Sequence, residues 1–208
     1  MTTEPRAATS RRDAYSQATR QAVLDSARRQ FVQFGYTSTT LAKVAADAGV
    51  TRGAVYHHFA DKAALFEALV DLLGEEVTVA SQRFLADTPD TWDAAILAFD
   101  DFLSRSAQED YARIVWQEGP VALGWERFKA SQERHGLRVT EEFVRMLAEE
   151  GRLRPGLPLE TATRLFYAAI GESGMAIASA PARRRQQVHQ ECVELLVGFM
   201  QSVAVEPG

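Results

Sequence analysis

The sequence predicts an all-α fold of about nine helices, with an N-terminal three-helix unit of the helix-turn-helix kind ahead of a larger helical body. Three observations predict it. Apolar residues recur at three-to-four spacing along most of the chain, and no stretch alternates apolar with polar as a half-buried strand does. Glycine and proline fall between these stretches, as at "EEGRLRPGLPLE" and "SAPARR", and divide the chain into helical lengths. Finally, "AADAGVTRGAVYHHF" holds glycines at 49 and 53, which leaves room only for short helices joined by a tight turn.

The elements follow in order. Residues 1–15 are polar, include Arg6, Arg11 and Arg12, and read as a flexible basic arm or a solvated tail. The first helix is expected over 16–34, because Ala22, Val23, Ala27, Phe31 and Phe34 share a stripe and Gly35 offers a stop. Thr40 caps a second helix that turns Val44 and Ala45 inward, Gly49 makes the turn, and Thr51 caps a third. Asp61 caps a long fourth helix that starts "KAALFEALV". This sets the helix-turn-helix domain at 16–62 and the body at 63–208. In the body, the breakers leave helices near 90–106, 109–117, 123–150, 159–179 and 182–203.

Composition bounds the function classes. A chain of 208 residues with 46% apolar and 25% charged residues can bury a core and is not disordered as a whole. It shows no signal-peptide pattern and no apolar run of membrane-spanning length, so a cytoplasmic protein is expected. A single cysteine, Cys192, excludes an intramolecular disulfide. The net charge of −5 is unevenly placed: residues 1–62 carry +4 and residues 63–208 carry −9. A basic front on an acidic body points to a polyanion partner for the front alone.

The third helix supplies the chemistry. At about 100° per residue, Val55 and Phe59 share one face, while Arg52, Gly53, Tyr56 and His57 turn away from it. That outward set suits a helix lying in a DNA groove. Arg52 offers a bidentate fork to guanine, and Gly53 lets the backbone approach closely. Tyr56, His58 and Lys62 are phosphate-binding types. Lys43 lies in the first turn of its helix, where a cation opposes the macrodipole by a few tenths of a kcal/mol and a phosphate would offset the cost.

Other chemistries find little support. Adjacent helical residues diverge by about 100°, so His57 and His58 cannot share one metal ion. His189 and Cys192 are spaced to share one, but further ligands are lacking. "GESGM" lacks the Gly-x-Ser-x-Gly spacing of a nucleophile elbow. No catalytic group, metal site or cofactor is expected.

The block from Gln21 to Leu69, above all "FGYTSTTLAKVAADAGVTRGAVYHHFADKAALFEAL", resembles the DNA-binding domain of the TetR family of bacterial transcriptional regulators. It joins an aromatic-Gly-aromatic entry, capping threonines, an Ala-Gly-Val turn, a Gly-x-x-Tyr-x-His-Phe core and an Asp-Lys-x-x-Leu exit. The resemblance implies a homodimer whose front three helices bind double-stranded operator DNA and whose body binds a small effector. Such a protein is expected to be a repressor, released from a pseudo-palindromic operator by a small hydrophobic or aromatic molecule. The family's DNA-contacting positions fall on Thr40, Lys43, Arg52, Gly53, Tyr56, His57 and Lys62, with His58 beside them. The sequence departs from the family at Lys43, where an acidic residue is common, and at Ala42, where a polar one is. This shifts the expected base reading onto Arg52 and His57.

For the effector, Trp92, Phe99, Phe102, Trp116, Phe128, Phe143, Met146 and Tyr167 are spread over several body helices, as an apolar cavity between helices requires. Asp100, Asp101 and Glu118 are available partners for a cationic ligand. The last two helices carry broad apolar faces, with Phe166, Ile170, Gly174 and Ile177 on one and Cys192, Leu195 and Phe199 on the other. These are expected to pair with their symmetry mates in a four-helix dimer interface. Two other readings remain at this stage: a DNA-binding regulator without an effector, and an enzyme on a helical scaffold.

Overall fold

The computed structural model describes residues 11–205, with side chains described from Asp13 on. Among these residues there are nine helices and no strand, and a lone backbone bridge joins Leu153 to Ala204. The chain divides into two compact units, the first ending at Leu69 and the second starting at Val70.

In the first unit, α1 spans Arg11–Ser38, and Gly35 breaks its helical geometry at φ 75°. It is therefore interrupted where the sequence places the stop, but a further turn carries it to Ser38, and it begins at Arg11 rather than 16. Of the three arginines read as an arm, Arg11 and Arg12 lie in this helix and Arg6 lies outside the described residues. Val23, Leu24, Ala27 and Phe31 are fully buried along one stripe of α1. Helix α2 (Leu41–Asp47) and helix α3 (Arg52–His58) are seven residues each. Helices so short are not stable alone, so their caps and packing hold them. The Thr40 hydroxyl accepts from the Lys43 amide at 3.3 Å, and the Thr51 hydroxyl accepts from the Ala54 amide at 3.1 Å. Gly49 takes φ 67° between them, a conformation that costs glycine nothing. The Ser26 hydroxyl donates to the Val44 carbonyl at 3.0 Å and pins α2 to α1.

Helix α4 runs over Lys62–Asp87, capped by the Asp61 carboxylate, which accepts from the Ala64 amide at 2.7 Å. Its first two turns belong to the front unit. Leu65, Phe66 and Leu69 are buried there, and the Phe66 ring meets Phe31 at 5.0 Å and Tyr36 at 5.2 Å, edge to face. That packing moves the division between units from 62 to 69.

The second unit adds α5 (Thr91–Ser106), α6 over 109–123, α7 over 125–149, α8 (Leu159–Ser179) and α9 (Arg185–Val203), the last entered through a 3-10 turn at Ala182–Arg184. The Asp90 carboxylate caps α5 by accepting from the Trp92 and Asp93 amides. Helices α6 and α7 differ from expectation. Each contains a π-helical segment, Ala112–Glu118 in α6 and Glu133–Leu137 in α7. Pro120 does not end α6, because it falls in the first turn of Gly119–Leu123, where no amide is required of it. The core gathers Ala94, Ala98, Phe99 and Leu103 of α5, Phe143 and Leu147 of α7, Phe166 and Ile177 of α8, and Leu196 and Met200 of α9.

Candidate nucleic-acid interface and ligand cavity

Helix α3 presents two faces. Val55 is fully buried and Phe59, its C-cap, nearly so. Arg52, Gly53, Tyr56 and His57 are exposed, and His58 is half-buried between the faces. Glycine at 53 answers no internal need: a β-carbon there would meet only the Thr51 hydroxyl, at 3.8 Å. A helical glycine costs about 1 kcal/mol relative to alanine, so its use points outward, to something that approaches the backbone.

An open concavity gathers Thr40, Ala42, Arg52, Tyr56 and Lys62. Lys62 is more constrained than its sequence position shows. Its ammonium donates to the Tyr36 carbonyl at 2.7 Å and the Thr39 carbonyl at 3.0 Å, and lies 4.2 Å from the centre of the Tyr36 ring. Lys43 likewise donates to the Ser38 carbonyl at 3.2 Å and sits over the Phe34 ring, so internal contacts offset part of its unfavourable place in the helix. The rings of His57 and His58 lie edge to face at 5.1 Å. Burial, with help from the charges of His57 and Arg20, holds the His58 imidazole below its ordinary pKa.

In the second unit a cavity of about 380 Å³ opens between helices α4 to α9. Of the eight residues expected to line it, Trp92, Phe99, Phe102, Trp116, Phe128, Phe143 and Tyr167 do. Met146 does not. Sequence reasoning missed Tyr111, Trp125 and His135, which also line it. Tyr111 and Trp125 carried an aromatic signal that was available, whereas His135 is brought round by the π-helical turn of α7. Its ring sits against Gly74 of α4, where a β-carbon would approach to 2.6 Å. Other ring residues of the wall also have glycine seats: Phe128 on Gly119, Tyr167 on Gly136 and Trp116 on Gly174. Burial pushes the phenols of Tyr111 and Tyr167 up, that of Tyr167 to about 12, so both keep their protons and can donate.

The three carboxylates offered for a cationic ligand are turned elsewhere. Asp101 pairs with Arg105 at 2.6 Å, Asp100 with His189 at 3.2 Å and Glu118 with Arg113 at 4.0 Å, and none lines the cavity. The Ser104 hydroxyl also reaches His189, but it and Asp100 approach the same Nε2 atom, so the three do not form a nucleophile-base relay. No group of three or more metal-ligating side chains occurs among the described residues. No helix among them is long and apolar enough to cross a membrane.

The expected pairing face also needs correction. Phe166, Gly174 and Ile177 are buried inside this chain, and Ile170, Cys192 and Phe199 pack half-buried against the same core. Phe166 and Phe199 stack at 4.2 Å. Only Leu195 of that set stands out, 74% exposed. Both helices carry polar residues on their exposed sides, such as Glu160, Arg164, Glu172, Gln187 and Glu194, and Phe166, Gly174 and Ile177 lie on the side that closes the core.

The chain matches known proteins in both units. A family described as "Bacterial regulatory proteins, tetR family" matches residues 23–69, and one described as "Tetracyclin repressor-like, C-terminal domain" matches 92–200, over half of the chain. The transcriptional repressor Rv1474c of Mycobacterium tuberculosis is 32% identical over 68% of this chain and 72% of its own length. A TetR-family transcriptional regulator from Pectobacterium atrosepticum has a similar structure, with a TM-score of 0.79 at 26% identity over 94% of this chain and 98% of that one. SmeT, the repressor of a Stenotrophomonas maltophilia multidrug efflux pump, has been solved with triclosan. That complex aligns with a TM-score of 0.73 at 25% identity over 91% of this chain and 93% of that one. With its helix-turn-helix head and helical body, the chain belongs to the TetR family and is a DNA-binding transcriptional regulator.

Proposed function

We propose that this protein is a dimeric repressor that occupies a two-fold symmetric operator and leaves it when a small hydrophobic molecule fills the body cavity. The observation that carries the DNA half is the outward face of α3, where Arg52, Tyr56 and His57 are exposed around a glycine with no internal role. Arg52 reads guanine, His57 reads beside it, and Thr40, Lys43, Tyr56 and His58 meet phosphates. Lys62 ties the loop after α1 to the start of α4 and adds its charge to the face.

The cavity supports the effector half, and the complex of SmeT with triclosan shows a relative holding a small aromatic molecule. By linkage, a ligand that favours the DNA-incompetent conformation weakens operator binding by the same coupling free energy. Pairing falls to the outer sides of α8 and α9, where Leu165 (55% exposed), Ala176, Leu195 and Gly198 are exposed.

The test is a titration against an inverted repeat taken from the DNA upstream of the protein's own coding sequence. Arg52→Ala is expected to weaken binding by about 1–3 kcal/mol and to relax preference at one base position. If Arg52→Ala and Tyr56→Ala both bind as the parent does, the recognition-helix assignment is wrong.

A further inference from the structure

The arginines of the front unit differ in what holds them. Arg29 is bonded to the Asp47 carboxylate at 2.7 Å, and Arg52 stands exposed on the outward face of α3. Arg20 is placed differently from both. It lies on α1 one turn before Val23 and Leu24, at the head of the stripe that those two continue through Ala27 and Phe31 into the core. An apolar side chain suits that position. The chain instead has a half-buried arginine, whose guanidinium carbon sits 5.5 Å from the centre of the Phe59 ring.

Phe59 is the C-cap of α3, so this contact sets the Arg20 guanidinium beside the end of the recognition helix. Contact with a ring face uses the charge of a guanidinium and leaves its N–H groups to other partners. Those of Arg20 have none: among the described residues it pairs with no carboxylate and makes no hydrogen bond. Its charge also reaches His58 and, after burial and His57, helps hold that imidazole below its ordinary pKa. Groups of like sign set side by side cost the free protein and become favourable once an anion lies against them. The dimensions put an anion there. Seven helical residues span about 10 Å, and the major groove is about 12 Å wide. With Arg52 in the first turn of α3 on base edges, the last turn comes to the wall of the groove, where the phosphates run.

We propose that Arg20 is a further DNA contact, its guanidinium binding an operator phosphate beside the C-terminal end of α3. This rests on the α3 recognition face proposed above. A backbone contact of this kind adds affinity at every sequence and preference at none. The planar fork of arginine lets it take two phosphate oxygens at once.

Titrations of the whole protein against the operator, and against operators with single base changes, at about 50 to 200 mM salt test this. Arg20→Met keeps an unbranched stem against Phe59 and removes the charge. It is expected to flatten the slope of log affinity against log salt by about 1 for each head bound, and to weaken all these duplexes alike, by roughly tenfold per head. Arg29→Met is the control and should keep the parent's slope, since Asp47 already holds that arginine. An arginine that only packs on Phe59 would instead lower the melting temperature of Arg20→Met and leave the slope as it is in the parent. If the slope of Arg20→Met equals the parent's, or if Arg29→Met flattens it as much, the phosphate contact is overturned. The recognition face survives that result as long as Arg52→Ala relaxes preference at one base position. If Arg52→Ala and Tyr56→Ala both bind as the parent does, the face and this contact fall together. Should Arg20→Met not fold, Arg20→Gln is measured in its place and decides in the same way.

Discussion

His58 shows how far a single side chain can be read ahead of its structure. The helical phase places it between the inward Val55 and the outward His57, and it is half-buried there. Burial, followed by the charges of His57 and Arg20, holds its pKa below the ordinary value. The sign of the pH effect follows from that direction. The unfolded chain takes up the proton near the ordinary histidine pKa of about 6.5, the folded chain only at lower pH, so the unfolded state binds more protons in between. Stability is then full above about 6.5 and falls as pH drops below it toward the folded value. Thermal melts at pH 7.5 and 5.5 should show a smaller acid-side loss in His58→Gln than in the parent; equal losses would refute the assignment. Lysines are less legible than histidines, because helix phase fixes where a long side chain starts and not where it ends. Hence Lys43 and Lys62, read as reaching outward, also hold their ammonium groups against the carbonyls of Ser38, Tyr36 and Thr39.

Among the elements, the short helices were the easiest to read and the long ones the hardest. Caps are local chemistry, so Thr40, Gly49, Thr51 and Asp61 fix α2, α3 and the start of α4 from sequence alone. Thr51→Ala removes the acceptor for the Ala54 amide and should cost about 1 kcal/mol of stability. Arg52→Ala, one residue on and exposed, should leave the melting temperature unchanged while weakening DNA binding, and comparing the two variants separates a folding role from a reading role. The π-helical segments of α6 and α7 have no such local signature. An i→i+5 turn shifts the phase of every later residue, so periodicity counted at 3.6 puts His135 out of place. The glycines that seat the cavity rings are equally silent, since Gly74 and Gly174 look like ordinary helical glycines until the opposing ring is seen.

At the scale of the molecule, the charge contrast and the two-unit division were both visible in the chain, whereas the partner-facing surface was not. Exposed apolar residues such as Leu165, Met175 and Leu195 share these helices with Phe166, Gly174 and Ile177, which close the core, so apolar character alone does not tell core from interface. The remaining exposed apolar residues of α8 and α9 make the dimer testable. Leu195 is 74% exposed on α9 and has no packing role in the single chain that would justify it. If it meets its symmetry mate, Leu195→Glu brings two like charges into a surface that excludes water, a desolvation without compensation. Sedimentation should then show monomers at concentrations where the parent is dimeric. Because each head reads one half-site and two-fold pairing supplies the second, affinity for the full operator should fall by more than about tenfold while affinity for an isolated half-site stays unchanged. Val121→Glu is the control, as Val121 is equally exposed (75%) but lies on α6, on neither of the two pairing helices, and should remain dimeric. A Leu195→Glu protein that still sediments as a dimer would move the interface off the outer side of α9.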